Sequence, residues 1–476
     1  MIPFENSFQT LPRFFYEPVE VLPLTGARLL HASPLKTGLG LGGLSGGELK
    51  SWLNGEIRIP GDQRIATRYA GHQFGVWAGQ LGDGRAISLG EIISPSLGRQ
   101  EIQLKGSGPT PFSRRGDGKA VLRSSIREYL CAEAMHALGI PTTRSLAILS
   151  GEGKVERETL EPEAIVARVF PTNVRFGHFE MAFHSGRKDE LRALTEYVRA
   201  QFYPGHTLRS MLEEVVDRTA RMIALWQAAG FCHGVMNTDN FSIAGITIDY
   251  GPFGFMEDFD PGHICNHSDH EGRYAYARQP RIGLWNLERL LVCFQDALPN
   301  EELRAILDTY PVRFRLHLLT AYREKLGLDA PLPAALLETL LEALSKLRLD
   351  YTFFLRQLSS YERGRPDSLG GLFRACPDPS VREGLEAFLR DYDAALAANQ
   401  TPETHRIERM KLKNPKWVLK NHIAQSIIEA AEKGDTAPLE TWFEILQNPF
   451  VEHPGKEAEA GPVPPGLKHL PVSCSS

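Results

Sequence analysis

The sequence predicts an α+β protein of two lobes, the first mainly β with one helix against its strands, the second mainly α and continued by a helical extension. Three observations predict it. Short β-prone runs set off by glycine-rich turns gather before about residue 170, at residues 85–91, 101–105 and 164–170. A long amphipathic pattern, residues 119–138, interrupts them, with Leu122, Ile126, Leu130, Ala134 and Leu138 four residues apart and Gly139 and Pro141 as stop signals. Later, helix-period patterns such as Ala334 to Leu347 and Pro415 to Glu432 dominate between Pro and Gly breaks, with no fixed-period repeat. The boundaries read as 1–185 for an N-terminal segment and the first lobe, 186–330 for the second, 331–450 for the extension and 451–476 for a flexible tail.

The chain is ample for a large core, with 476 residues, 42% hydrophobic and 23% charged, as in soluble globular proteins. Its net charge of −5 points to neither nucleic acid nor an anionic membrane as partner. No apolar run approaches the roughly 18 residues needed to span a bilayer, and no basic and apolar leader opens the chain, so a cytoplasmic location is expected. The six cysteines, Cys131, Cys232, Cys265, Cys293, Cys376 and Cys474, are scattered and form no C-x-x-C pair, which argues against a disulfide scaffold.

The second lobe opens with Leu208, Met211, Leu212, Val215, Met222 and Trp226 at helical spacing, and Gly230 is placed to end that helix. The chain then enters His233-Gly234-Val235-Met236-Asn237-Thr238-Asp239-Asn240, which follows the frame of a protein-kinase catalytic loop, H-R-D-x-x-x-x-N. The Asn stands seven residues after the His, but the position of the kinase base holds Val235, which neither accepts a proton nor binds a metal; a carboxylate returns at Asp239. Residues 241–243 and 246–248 read as a hairpin across Ala244-Gly245, leading into Asp249-Tyr250-Gly251 where a kinase carries its metal-binding Asp-Phe-Gly.

The first lobe offers the matching nucleotide half. Gly79-Gln80-Leu81-Gly82-Asp83-Gly84 precedes the strand pattern at Arg85, and its glycines let backbone N–H groups approach phosphate, although such a loop is also an ordinary hairpin turn. Lys105 ends the next strand in the place of the kinase lysine, and Glu128 lies on the amphipathic helix in the role of its carboxylate partner. Between them, residues 106–119 are rich in glycine and cations, and a helix beginning near Gly118 would aim its free N–H groups at an anion. Arg168 and Arg175 add planar cationic donors. Glycine loop, lysine, glutamate, catalytic loop and metal aspartate occur in kinase order, so the two lobes are expected to be protein-kinase-like.

These segments closely resemble the selenoprotein O family, kinase-fold proteins long classed as pseudokinases. The resemblance runs from about Arg68 to Trp285 and rests on Arg68-Tyr69-Ala70-Gly71-His72-Gln73-Phe74-Gly75, Lys105-Gly106-Ser107-Gly108, the catalytic loop and Asp249-Tyr250-Gly251-Pro252-Phe253-Gly254. It implies AMP transfer from ATP to Ser, Thr or Tyr hydroxyls of proteins, with a nucleotide bound in the direction opposite to that in kinases, and UMP transfer as a further option. It implies Gly82, Gly84, Arg85, Lys105, Asp117, Gly118, Arg168 and Arg175 around that nucleotide, Glu128 positioning Lys105, Asn240 and Asp249 on Mg²⁺ or Mn²⁺, and Asp239 as proton acceptor. With an ordinary pKa of about 3.9, Asp239 would be a weak base that chiefly orients the hydroxyl. A monomer is expected. The competing readings are a true kinase, against which Val235 counts, and a scaffold that binds ATP without turnover, against which Lys105, Asn240 and Asp249 count.

Two expectations concern the remaining polar residues. His263, Cys265, His267 and His270 follow the metal aspartate, but their spacing fits no standard zinc pattern, and a solvated activation-type segment is the expected state. The Pro-, Gly- and charge-rich tail ends near Cys474, where eukaryotic relatives carry selenocysteine; its reach of about 25 Å makes a reversible disulfide with Cys265 one reading and an unpaired terminal thiol the other.

Overall fold

The fold was described from a computed structural model, which covers residues 4–370, 372, 379–470 and 472. A nine-stranded antiparallel sheet occupies the N-terminal third of the chain. Its strands run in the order Tyr16–Pro18, Ile65–Thr67, Ala86–Ser94, Gly98–Lys105, Leu160–Phe170, Arg144–Glu156 and Arg28–Ala32, with Phe4–Glu5 added to Ala86–Ser94 and Ala120–Val121 added to Leu160–Phe170.

Strand alternation decides which side chains meet. Ile102, Leu104, Ala167 and Val169 are fully buried on one face against Leu39, Leu49 and Trp52 from the N-terminal segment. The opposite parity carries Gln103, Lys105, Val166 and Arg168, and the register sets Arg168 opposite Gln103 and Lys105 between Ala86 and Val166. A lysine and an arginine distant in sequence therefore share one face of adjacent strands, facing helix Leu122–Ala137.

That helix starts later than its sequence pattern indicates. Gly118 has φ +71°, and Ala120 and Val121 join the sheet edge, so helical geometry begins only at Leu122 with no side-chain cap. Pairing with the strand Leu160–Phe170 takes the backbone that the helix would otherwise use, and no helix N-terminus stands at Gly118. The expected helix before the catalytic loop is present as Leu208–Ala229, capped by Thr207 and ended by Gly230 in the left-handed conformation. The expected hairpin is reduced to an isolated bridge, Phe241 to Thr247, because Ser242 pairs with Arg175 and Thr247 also pairs with Thr142. Gly245, at φ +68°, still makes the turn.

Helices fill the chain after residue 176, including Ala334–Leu347 at the expected bounds and Asn421–Glu432 inside the expected run. The 415–432 pattern breaks because Trp417, Val418 and Leu419 are buried in an extended approach to the helix.

The described residues beyond 451, namely 452–470 and 472, are docked rather than loose. Lys468 pairs with Asp258 at 2.8 Å, Val463 is buried, and the His267 N–H donates to the Val472 carbonyl at 3.1 Å. Inside the body, the buried pair Lys420–Asp350, at 2.6 Å, also donates from Lys420 to the Gly461 carbonyl and so fastens this segment. The segment after Asp249 is likewise packed: Cys265, Asn266, Asp269, Tyr274 and Tyr276 are buried, and the Cys265 thiol donates to the Cys232 carbonyl. Polar side chains alone had marked it as solvated, whereas its aromatic residues take it into the core. Cys474 lies outside the described residues. No helix among the described residues is long and apolar enough to cross a membrane.

Candidate active site

A cavity of about 610 Å³ opens between the sheet edge and the catalytic loop. Gly82, Gly84, Arg85, Lys105, Asp117, Gly118, Arg168, Arg175, Asp239, Asn240 and Asp249 all line it. Ten of these eleven were expected around nucleotide or metal and the other, Asp239, as the proton acceptor; Glu128 stands behind them.

The glycines are required by close approach. A Cβ on Gly84 would lie 2.8 Å from the Phe112 carbonyl oxygen, and one on Gly118 would lie 2.2 Å from the Gly108 carbonyl group. The two loops, 79–84 and 106–118, are thereby pressed together, with Thr110 donating to the Asp83 carbonyl at 2.7 Å. Asp83 is itself buried and accepts from the Thr67 N–H and from Asn173. Its burial pushes its pKa up against the opposing pull of Arg175 and Thr67. Asp83 was quoted from the sequence only as part of a turn, yet it anchors the glycine loop.

A single charged chain crosses the cavity floor. Lys105 Nζ donates to Glu128 Oε2 at 2.5 Å, Glu128 Oε1 accepts from Arg168 at 3.0 Å, and Arg168 donates to Asp249 Oδ1 at 2.5 Å and to Gln103. Arg175 grips the other oxygen of Asp249 and donates to the Asp239 carbonyl at 3.0 Å. Glu128 thus holds Lys105, as expected, and shares itself with Arg168. Burial opposes charge on Asp249, but Arg175, Arg168 and Lys105 outweigh it and hold the carboxyl well below the usual range. Glu128 is lowered by the same contest between burial and its two cations, while burial lowers Lys105 despite Glu128. Asp249 adopts φ +57°, a left-handed conformation sustained by these bonds to both of its oxygens.

Asp239 differs in every respect. It is 7% exposed, its Oδ1 has no partner, and burial raises its pKa to about 7 against the pull of Arg175. The weak base expected from an ordinary aspartate is therefore retuned by its surroundings. Gly71 makes this possible, since a Cβ there would stand 2.9 Å from Asp239 Oδ1. Asn240 donates its amide to the Val235 carbonyl at 3.0 Å, which leaves its side-chain oxygen as the remaining ligand atom. Asp117 lies at the rim, paired with Arg157 at 2.8 Å, whose hydrogen bond lowers its pKa.

Sequence reasoning missed Tyr69, Gln103, Asn173 and His178. Tyr69 lies under the Arg175 guanidinium at 4.9 Å, Asn173 accepts from it, and His178 takes the Arg175 N–H at 3.0 Å. Tyr69 fell inside a quoted motif and Gln103 inside the strand run 101–105; the parts played by Gln103, Asn173 and His178 become visible only once strand register and the start of helix Phe176–His184 are known.

The model of the family described as "Protein adenylyltransferase SelO" matches residues 2–447. The chain belongs to the SelO family. Curated relatives agree over their full lengths: a protein of Bordetella petrii named protein nucleotidyltransferase YdiU is 47% identical over 99% of this chain and 98% of its own. Proteins of the same name from Marinomonas sp. and Myxococcus xanthus are 44% and 43% identical, each over 99% of this chain and 99% and 98% of their own. As a SelO member the chain is an enzyme, a nucleotidyltransferase. Segments that carried the sequence resemblance close on Asp249 and Asp239: Gly71 fits against Thr238 and Asp239, and Lys105 completes the charged chain.

Proposed function

We propose that this enzyme transfers AMP from ATP to Ser, Thr or Tyr hydroxyls of proteins on a bilobal, kinase-like scaffold, releasing pyrophosphate. The observation that carries this reading is the convergence of two buried guanidiniums, Arg168 and Arg175, on Asp249, with Lys105 joined to them through Glu128. Three cations at one end of the cavity suit the terminal phosphates of a nucleotide, whose charge grows as they leave. The α-phosphorus then faces Asp239. Val235, in the place of the kinase base, offers nothing to γ-phosphoryl transfer.

Asp239, which lines the cavity, would take the hydroxyl proton onto its carboxylate, and a pKa of about 7 matches a general base to neutral pH. Gly82, Gly84 and Gly118 let backbone approach the nucleotide, Arg85 and Asp117 bound it at the rim, and Glu128 keeps Lys105 in place. The donor set also fits a hard divalent cation: Asp249 and the free side-chain oxygen of Asn240 are oxygen ligands, suited to Mg²⁺ or Mn²⁺. Such an ion, when bound, would neutralise phosphate charge.

Incubation with ATP labelled at the α-position, in parallel with γ-labelled ATP and α-labelled UTP, tests the proposal on a mixture of candidate proteins. Label on protein from α-ATP and none from γ-ATP supports it. Label from γ-ATP identifies a kinase, binding without label a scaffold, and label from UTP extends the reading to UMP. We further propose that the partners are proteins bearing Ser, Thr or Tyr hydroxyls rather than nucleic acid or membrane, and that the enzyme works as a cytoplasmic monomer.

A further inference from the structure

A second polar cluster lies outside the nucleotide cavity. Helix Phe176–His184 carries Glu180 and His184 four residues apart, hence on one face. The two-residue strand His72–Gln73, paired with Val76–Trp77, brings His72 against that face, with Nδ1 2.6 Å from Glu180 Oε1. One ligand atom from each of His72, Glu180 and His184 lies within 4.8 Å of the other two.

Three observations set this cluster apart from a plain ion pair. Glu180 is 0% exposed, and its second oxygen, Oε2, has no hydrogen-bond partner. A buried carboxylate left half satisfied is costly, and a cation between the three side chains would satisfy it. His184 is exposed at the rim, which leaves an approach for an ion and a place for a water ligand. Aromatic rings brace the imidazoles: Trp77 lies 4.2 Å from His184, and Trp77 and Trp285 lie 5.1 and 5.3 Å from His72.

We propose that His72, Glu180 and His184 form a second metal site that takes Zn²⁺. Two imidazoles and one carboxylate are the ligands of a borderline divalent ion rather than of Mg²⁺, and three protein ligands leave the fourth tetrahedral position to water. Its role is to position the catalytic loop. The His72 N–H donates to Thr238 Oγ at 2.7 Å, next to Asp239, and the other end of the ligand helix is capped at Arg175, which grips Asp249. An ion here fastens hairpin 72–77 to helix Phe176–His184 and thereby sets the spacing of the two catalytic carboxylates.

Equilibrium dialysis of the metal-free full chain against ZnCl₂, read by elemental analysis, tests the site. It is run on wild type, on Asp249→Asn to remove binding at the catalytic loop, and on Asp249→Asn combined with His184→Ala or, separately, His184→Gln. The expected result is one zinc per chain retained in Asp249→Asn and an affinity at least about 100-fold lower in both combined variants, whose metal-free thermal melts match that of Asp249→Asn because His184 is exposed. Co²⁺ in place of zinc should give the intense visible bands of a tetrahedral site in Asp249→Asn and lose them in the combined variants. Absence of zinc from Asp249→Asn, or equal zinc affinity with and without His184, overturns the proposal.

Discussion

Replacing Asp239 by Asn should stabilise the protein while slowing transfer, by an amount that depends on pH in a calculable way. The folded protein holds the Asp239 proton to about pH 7, whereas the unfolded chain releases it near 3.8. Between those values the unfolded state binds fewer protons than the folded one, so this group removes stability as pH rises, and above about 7 the loss is constant. Integrating over one proton gives a cost of about 2 kcal/mol at pH 5 and about 4 kcal/mol at pH 8. Asn does not titrate, and all other groups are common to both proteins. The gap in unfolding free energy between Asp239→Asn and wild type should therefore widen by about 2–3 kcal/mol from pH 5 to pH 8. Urea titrations of the nucleotide-free proteins at the two pH values measure it. A gap that stays constant would show that Asp239 is an ordinary ionised carboxylate, and the argument that burial tunes it as a base would fail with it.

Four further outcomes are expected. Asp249→Ala leaves Arg168 and Arg175 buried without their shared carboxylate; urea unfolding should show a loss of about 3–5 kcal/mol, and metal-dependent transfer should disappear. Glu128→Gln removes the charge that holds Lys105 and Arg168, so steady-state kinetics should show kcat/KM for nucleotide down by about 10- to 100-fold, the equivalent of about 1.5–3 kcal/mol. Gly118→Ala forces a Cβ into the Gly108 carbonyl, and calorimetry should find nucleotide affinity reduced by about tenfold or more, or about 1.4 kcal/mol. Lys420→Ala strands Asp350 in the core and releases Gly461, which should cost about 3–5 kcal/mol in thermal or urea unfolding and expose the chain beyond residue 451 to limited proteolysis.

The sequence by itself determined the order of the working parts and which residue types stand in them. Local patterns sufficed for that: the helix Leu208–Ala229 is amphipathic and ends at a glycine, the strands around Lys105 and Arg168 are β-prone, and Val235 in a kinase-like loop excludes one base. The late start of helix Leu122–Ala137, the single bridge left of the 241–248 hairpin and the docking of residues 452–470 came from the tertiary structure, because each turns on pairing with backbone or side chains far away in the chain. Tertiary structure also decided the chemistry of the two aspartates. Asp239 and Asp249 are ten residues apart and chemically identical in the chain, yet one is buried with an unpartnered oxygen and the other lies between two arginines, and only that placement sends their pKa values in opposite directions.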